Sequence, residues 1–321
     1  MQSENIAELE KILMNQSHFE ELVFHLNASS FDEAKSLLNQ YDKMWVQQLI
    51  VKAQNPLNYK VLGDLFELTG KAQIKFSSDT SFHQYLYVRG LITPDDFRDK
   101  ELLLSKSQLP PVSTFENPIM NGEIEDYIQK DDLQGFVDYV IANNVDLHEE
   151  GFLLNDSLLG LIDFCCYCNS INILKFLLEN DVEIYPETIN SAVDGGSEEV
   201  ISYLESIGIS FDQTIIHAIA FHHNNIAKTL FKKYENKGFK LSRCVQWFNT
   251  EMLIYFINEC DLDVNQEDNG KRTCLHYAVY NNDLNVVNYL LIKGADKNLV
   301  DDNGNSAMDF ARTEKMKNLI K

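Results

Sequence analysis

The sequence predicts an all-α fold built as a solenoid of helix pairs and preceded by a helical N-terminal region. Glycine and proline are sparse, with 14 and 6 among 321 residues, whereas β proteins with many tight turns need more of both. Apolar residues recur at helical spacing, and hydrophobic residues make up 45% of the chain. Near the C-terminus, the pattern at 273–278 returns at 306–311, an interval typical of helical repeat arrays.

Charge is distributed unevenly along the chain, with a net value of −22. Residues 111–220 hold 21 acids and only two bases, Lys130 and Lys175, whereas residues 221–321 hold 13 acids and 14 bases. Such an acidic block repels phosphate groups, so we expect neither nucleic acid nor a membrane as the main partner. The block has two interpretations that stay open here: a solvated face, or a docking surface for a basic protein.

The sequence also predicts a soluble, cytoplasmic protein. Its N-terminus alternates charged and apolar residues and lacks the basic and apolar regions of a signal peptide. No apolar run approaches the ~18 residues that a membrane-spanning helix needs. All six cysteines lie between residues 165 and 274, a layout that favours reduced thiols over a disulfide framework.

Two neighbouring stretches near the C-terminus align with each other. Residues 273–278, Thr-Cys-Leu-His-Tyr-Ala, line up with residues 306–311, Ser-Ala-Met-Asp-Phe-Ala. They resemble the ankyrin repeat, whose pattern is Thr-Pro-Leu-His-x-Ala, two helices and a closing Gly-Ala-Asp, here residues 294–296. The best repeats are therefore 268–300 and 301–321. The resemblance implies an ankyrin-repeat solenoid of helix pairs joined by short hairpin-like loops.

Local chemistry supports this interpretation of the two best repeats. Asn-Gly occurs at 269–270 and again at 303–304, and this dipeptide favours turns with positive φ. Gly294 follows an apolar helical stretch, so we expect it to end that helix in the left-handed conformation. Leu275, Ala278 and Val279 lie at helical spacing and are predicted to face the core.

Less regular helix pairs precede these repeats. Apolar patterns predict second helices near 172–178, 199–204, 225–231 and 249–257, with a first unit within 124–141. Their spacing is shorter than that of the two best repeats, which we attribute to shortened hairpin loops with both helices kept. The predicted array therefore covers residues 111–321 in about five to seven units.

Residues 1–110 show no ankyrin repeat pattern. Helical patterns appear at 4–27, 31–54, 58–69 and 81–90, and the tandem proline within 109–113 marks a boundary. The whole layout resembles large protist families that carry a helical N-terminal region of unknown function before degenerate ankyrin repeats. Since an exposed repeat end needs a cover, we expect residues 1–110 to pack on the first repeat as its cap.

The ankyrin resemblance implies that partner proteins bind on the concave face and the hairpin tips. Tyrosine suits such a surface because it offers a large contact area at a small loss of rotamer entropy. The predicted partner-binding residues are Tyr277, Tyr280, Asn281, Lys271, Arg272, Phe221, His222 and Asn305.

No arrangement of residues in the sequence predicts catalysis. The cluster Cys165, Cys166 and Cys168 lacks a second ligand pair at zinc spacing and suits a buried helix face. Cys274 and His276 lack a third orienting group, and His222 and His223 fit a turn with both rings solvated. We therefore expect no metal, cofactor or small-molecule substrate.

The leading hypothesis is a non-catalytic protein-protein interaction scaffold. A second is an adaptor that recruits a client to an enzyme complex such as a ubiquitin ligase through residues 1–110. A third, an enzyme with attached ankyrin repeats, would need chemistry in residues 1–110, which hold three histidines and no cysteine.

Overall fold

The computed structural model of this chain is nearly all helical, in agreement with the predicted fold class. It describes residues 2–53, 59–76, 81–99, 106, 109, 123–148, 150–154, 157–234 and 238–321. The N-terminal helices are α1 (Gln2–Phe24), α2 (Phe31–Leu38), α3 (Lys43–Lys52), α4 (Tyr59–Leu68) and α5 (Ser81–Arg89), followed by a short 3₁₀ turn at Pro94–Asp96.

Helix pairs make up most of the rest of the described chain. They are α6 (Glu123–Gln129) with α7 (Leu133–Asn143), α8 (Leu161–Cys168) with α9 (Ile171–Glu179), α10 (Pro186–Gly195) with α11 (Glu198–Ser206), α12 (Ile215–Ala220) with α13 (Asn224–Lys233), α14 (Ser242–Gln246) with α15 (Thr250–Asn258), and α16 (Cys274–Tyr280) with α17 (Leu284–Ile292). A final unit pairs a 3₁₀ helix (Ala307–Phe310) with α18 (Glu314–Ile320).

Each of the six α-helix pairs reverses direction at one residue with positive φ. These residues are Asp131, Asn169, Gly196, His222, Phe248 and Asn282. The turns at 169, 196, 222 and 248 follow one another closely, whereas a longer interval separates the turns at 248 and 282. This difference confirms the short spacing that we predicted for the middle pairs. The loop after α9 spans only 180–185, whereas the loop after α15 spans 259–273. Shortened loops with both helices kept therefore explain the short period.

Close backbone packing joins neighbouring pairs. A side chain at Gly195, near the end of α10, would place its Cβ 2.5 Å from the carbonyl oxygen of Tyr167 and 2.6 Å from that of Cys166. The side chain of Asn169 donates from Nδ2 to the Gly195 carbonyl at 2.9 Å. Glycine is required there because α10 approaches α8 without room for a side chain.

One local expectation is wrong, and one element was not predicted. The pattern at 31–54 forms two helices rather than one, because Asp42 accepts hydrogen bonds from the N–H groups of Met44 (2.9 Å) and Trp45 (3.2 Å) and starts α3. The sequence did not predict the antiparallel hairpin of β1 (Glu150–Leu154) and β2 (Ser157–Gly160), in which Leu154 pairs with Ser157. Of the predicted boundary at 109–113, only Leu109 is among the described residues.

Contacts divide the described residues into two compact units. One comprises residues within 1–53, 61–75 and 238–321, and the other those within 54–60 and 76–237. The division at residue 110 remains a prediction from sequence pattern. In the first unit, α1 packs against α15 and α17, the second helices of two late repeats. The described part of residues 1–110, which we expected to cap the first repeat, is divided between the two units.

Candidate protein-binding surface

The hairpin tips of the last two repeats are built on two equivalent aspartates, which occupy the same position in successive repeats. Asp268 Oδ1 accepts hydrogen bonds from the N–H groups of Gly270 (2.8 Å) and Arg272 (2.9 Å). Asp301 Oδ1 accepts the corresponding bonds from Asn303 (2.9 Å) and Asn305 (3.0 Å). Each carboxylate therefore fixes the loop that follows it, and the surface is presented on a rigid frame.

An ion pair connects the two tips. Arg272 donates from Nε (3.2 Å) and Nη2 (3.1 Å) to Oδ2 of Asp301, whose side chain is only 1% exposed. Burial opposes ionisation of Asp301, but hydrogen bonds from Asn305, Asn303 and Arg272 prevail and lower its pKa to about 2. The carboxylate is therefore charged at neutral pH and holds Arg272 in place.

His276 joins the same two tips. Its Nδ1 accepts a hydrogen bond from the Thr273 N–H at 3.1 Å, so the proton belongs on Nε2, which lies 3.3 Å from the Asn305 carbonyl oxygen. Burial lowers the pKa of His276, which favours the neutral ring. These contacts tie the turn of His276 to the neighbouring repeat.

A row of cations and aromatic rings runs beside the tips; we call it the cation–aromatic row and define it as Arg272, Phe310, Tyr280 and Arg312. The Arg272 guanidinium lies 5.1 Å from the Phe310 ring centre. Phe310 lies 6.5 Å from Tyr280, and the Arg312 guanidinium lies 4.2 Å from the Tyr280 ring centre. Contacts at these distances are attractive, so the row is ordered before any partner arrives.

Only part of this row was predicted. Arg272 and Tyr280 were named from the sequence, whereas Phe310 and Arg312 were missed. Phe310 could have been found from the repeat itself, because it occupies the position of Tyr277 one period later. Arg312 stands on an irregular segment after the 3₁₀ helix, and the repeat pattern gives no signal for its position.

Other predicted residues stand at the tips themselves. The Tyr277 hydroxyl donates to Asp268 Oδ2 at 2.6 Å, and Tyr277 is half-buried. Lys271 is exposed, with Nζ 3.6 Å from Asp302 Oδ1. Lys271, with φ of 57°, takes the left-handed conformation that we expected at Gly270. Asn305 donates from Nδ2 to Asp301 Oδ1 at 3.3 Å and supports the tip.

Asn281 and His222 do not face outward as predicted. Asn281 is 6% exposed, and its Nδ2 donates to the Val245 carbonyl oxygen at 3.0 Å. His222 is 5% exposed and is the residue with positive φ, 58°, between α12 and α13, so its ring is not solvated. Both residues were misplaced because the turn after a first helix folds inward against the neighbouring pair. The remaining predicted residue, Phe221, is half-buried, with its ring 6.4 Å from that of Tyr167.

The N-terminal helices cover the turn side of these repeats. Gln48 in α3 donates from Nε2 to the Asn281 carbonyl oxygen at 3.4 Å, and Asn282 Nδ2 donates to Asp42 Oδ1 at 3.2 Å. The Lys52 ammonium lies 4.6 Å from the Trp247 ring centre. Sequence reasoning missed this interface entirely, because it joins segments from opposite ends of the chain.

The cysteines offer no reactive thiol at the positions considered above. Burial raises the pKa of the Cys165, Cys166 and Cys274 thiols, and it raises that of Cys168 to about 12. Among the described residues, no group of three His, Cys, Asp or Glu side chains could hold a metal ion. Within the same ranges, no helix combines the length and apolarity needed to cross a membrane.

Comparison with known proteins gives one family model that matches part of the repeat region. Residues 257–311 match a family model described as ankyrin repeats (many copies). A curated relative, an L-asparaginase of Dirofilaria immitis, is 26% identical over 178 residues, a match that covers 48% of this chain and 30% of that protein. The match therefore covers less than a third of that relative's length.

Two solved structures are similar over most of their own length. The ankyrin repeat domain of human ASB11 has a TM-score of 0.49 at 16% identity, over 62% of this chain and 96% of that domain. A chain from the complex of the predatory endopeptidase Bd0816 of Bdellovibrio bacteriovorus with immunity protein Bd3460 has a TM-score of 0.35 at 16% identity, over 61% and 95%. The match of residues 257–311 identifies ankyrin repeats in the segment that carries the candidate surface.

Proposed function

We propose that this chain is a non-catalytic scaffold that binds a partner protein on the cation–aromatic row and the adjoining hairpin tips. The observation that carries the proposal is the row itself, in which two arginines and two aromatic rings adjoin one another on a frame fixed by Asp268 and Asp301. Aromatic and arginine side chains dominate the binding energy of protein interfaces. A row that is already ordered loses little side-chain entropy on binding.

A finer part of the proposal concerns the acidic block at 111–220. With 21 acids against two bases, this block attracts a basic protein and speeds its association at low salt. Salt screens such attraction between exposed charges, but it has little effect on aromatic packing. The two surfaces can therefore be told apart by the salt dependence of binding.

The adaptor hypothesis has less support. It needs a free docking surface within residues 1–110, but one face of α1 is already buried against the last repeats. Gln16 and Glu20, which contact those repeats, are buried. Ile12 and Met14 remain exposed on α1, at 43% and 48%, and Leu68 on α4 is exposed at 44%. The resemblance of the layout to protist protein families also remains a proposal.

A pull-down from cell lysate with the full-length chain tests the proposal. Wild type is compared at low and high salt with the double variant Tyr280→Ser, Arg312→Ala, and captured proteins are identified by mass spectrometry. Tyr255→Ser on α15 is the matched control, because it also removes a half-buried tyrosine but from a second helix.

Each pattern of capture either assigns binding to one of the two surfaces or argues against the scaffold proposal. Capture that survives high salt, is lost in the double variant and is kept in Tyr255→Ser supports the row. Capture that disappears at high salt and is unchanged in the double variant assigns binding to the acidic block instead. If no protein is captured specifically under either condition, the scaffold proposal fails.

A further inference from the structure

The contact between α1 and the last repeats contains a fully buried acid, Glu20. Its Oε2 accepts a hydrogen bond from the Thr250 N–H, the first amide of α15, at 2.8 Å. Its Oε1 lies 2.7 Å from the Thr250 hydroxyl and 3.1 Å from Gln16 Nε2. Glu20 thus supplies from α1 a hydrogen-bond partner that the start of α15 needs.

A second buried acid lies on the other side of Gln16. Asp283, 6% exposed, accepts a hydrogen bond from the Val286 N–H at 3.0 Å and so caps α17. Gln16 Nε2 donates to Asp283 Oδ2 at 2.6 Å, and Gln16 Oε1 accepts from Asn285 Nδ2 at 2.9 Å. One amide group therefore bridges two buried carboxyl groups.

The direction of α1 follows from these contacts. At its other end, Glu10 Oε1 accepts from Asn258 Nδ2 at 3.2 Å and lies 3.6 Å from Lys293 Nζ. Asn258 ends α15 and Lys293 follows α17, whereas Glu20 and Gln16 contact the beginnings of these helices. Helix α1 is therefore antiparallel to both and lies along the two of them.

Among the described residues, no cation is one of the groups that act on the two buried acids. The titratable group that faces them from the segment after α2 is Tyr41, whose pKa rises to about 12 through burial and the charges of Glu20 and Asp283. Helix α3 faces them with Trp45 and α15 with Thr250, neither of which titrates in this range. Among the described residues, no Lys or Arg forms an ion pair with either carboxyl group.

Two buried carboxylates without a cation would be costly, and a proton removes most of that cost. Burial, opposed by the hydrogen bonds of Thr250, raises the pKa of Glu20 well above its usual range, and burial raises that of Asp283 to about 6. The hydrogen bonds indicate which of the two acids carries the proton. Both acids accept from two N–H donors through both oxygens, but Oε1 of Glu20 also faces, at 2.7 Å, a hydroxyl that can accept.

We propose that Glu20 is held as the neutral acid at neutral pH, donating from Oε1 to the Thr250 hydroxyl, and that loss of this proton loosens α1 from the last repeats. The proposal is independent of the partner-binding function. The sign follows from linkage: a carboxyl group that binds its proton more tightly when docked favours docking at lower pH. The docked state therefore loses stability as pH rises through the pKa of Glu20, by up to about tenfold in its equilibrium constant per pH unit.

The variant Glu20→Gln mimics the neutral acid. Its amide nitrogen can donate to the Thr250 hydroxyl while its carbonyl oxygen accepts from the Thr250 N–H, and only the bond that Oε1 now accepts from Gln16 Nε2 is given up. Glu10→Gln is the matched control, because it changes a partly exposed carboxylate on the same helix. Both are studied in the full-length chain.

Two measurements test the proposal. Infrared spectroscopy at pH 7 should show a protonated carboxyl band in wild type and in Glu10→Gln that is absent from Glu20→Gln. Hydrogen exchange of α1, corrected for the intrinsic pH dependence, should show protection that falls with rising pH in wild type and in Glu10→Gln but not in Glu20→Gln. A wild type without the band at pH 7 would overturn the proposal, as would an equal pH dependence in wild type and Glu20→Gln.

Discussion

Lys271 and Gly304 occupy equivalent positions in the two last hairpin tips, and both take the left-handed backbone conformation, with φ of 57° and 78°. Only glycine adopts this conformation without steric cost. The repeat thus demands the same backbone at both tips, although only one of the two carries glycine. Lys271 is held there by the hydrogen bonds that Asp268 accepts from its neighbours.

Gly304→Ala should therefore destabilise the protein by about 1 kcal/mol, through backbone strain alone. No atom lies within 4 Å of the added Cβ, so steric contact does not contribute. Gly270→Ala is the matched control: it adds a methyl group to the other tip at negative φ, where its nearest contact, Asp268 Oδ1 at 3.5 Å, is ordinary. Urea denaturation of both variants measures the difference. Equal losses would contradict the strain argument.

Asp301 should contribute to acid sensitivity. Its pKa of about 2 lies below the unfolded value of about 3.9, so its stabilisation is nearly complete above about pH 5 and is lost as pH falls through 2. We expect Asp301→Asn to lower the unfolding midpoint at pH 7 and to weaken the loss of stability between pH 4 and pH 2. The exposed neighbour Asp302 provides the control, and Asp302→Asn should leave the midpoint nearly unchanged.

At the scale of one helix, the close packing of neighbouring helix pairs leaves no room for a side chain at Gly195. An added Cβ would meet the backbone carbonyl groups of Cys166 and Tyr167, which cannot rotate away as a side chain could. We expect Gly195→Ala to cost about 1–3 kcal/mol, as overpacking of a tight contact does. Urea denaturation checks this value with Gly270→Ala again as reference, and a loss no larger than that of the reference would contradict it.

Helices with a strong apolar period were predictable, and weakly patterned ones were not. The second helices α9, α11, α13 and α15 were located from runs such as Ile-Leu-Lys-Phe-Leu-Leu at 173–178. Helix α14 was missed because it has only five residues, too few to show a period. The hairpin of β1 and β2 was missed for the same reason, since its strands have five and four residues.

On the candidate surface, the sequence predicted the residues of the repeat pattern but not their exposure. Tyr280 and Arg272, which we predicted to bind a partner, are half-buried in the structure. Asn281 was misplaced because its burial depends on the Val245 carbonyl of the preceding pair and on α3. Tertiary neighbours of this kind have no local signature in the sequence.

For the whole molecule, the contacts of α1 predict coupling between distant segments. Phe19→Ala removes a fully buried ring from α1 and should cost about 3–5 kcal/mol. The loss of hydrogen-exchange protection should appear in α3, whose Trp45 lies 6.2 Å from the Phe19 ring, and through α1 in α15 and α17, which α1 contacts. A loss confined to α1 and its sequence neighbours would contradict this prediction.

A matched substitution in the other compact unit completes the test. Phe136 in α7 is also fully buried, with its ring 6.1 Å from that of Phe176 in α9. Phe136→Ala should reduce hydrogen-exchange protection in residues 123–179. At the start of the unfolding transition, α15 and α17 should keep their protection. The two variants together report whether the two units lose structure separately.

The position of α1 also bears on how the chain is made. Glu20 and Thr250 lie near opposite ends of the sequence, so α1 leaves the ribosome long before the helices on which it packs. At about 5–20 residues per second, this interval lasts on the order of 10 to 50 seconds. During that time Phe19 already has Tyr41 and Trp45 beside it, but Gln16 and Glu20 lack their partners on α15 and α17. This side of α1 therefore stays without its native cover until translation of the last repeats is complete.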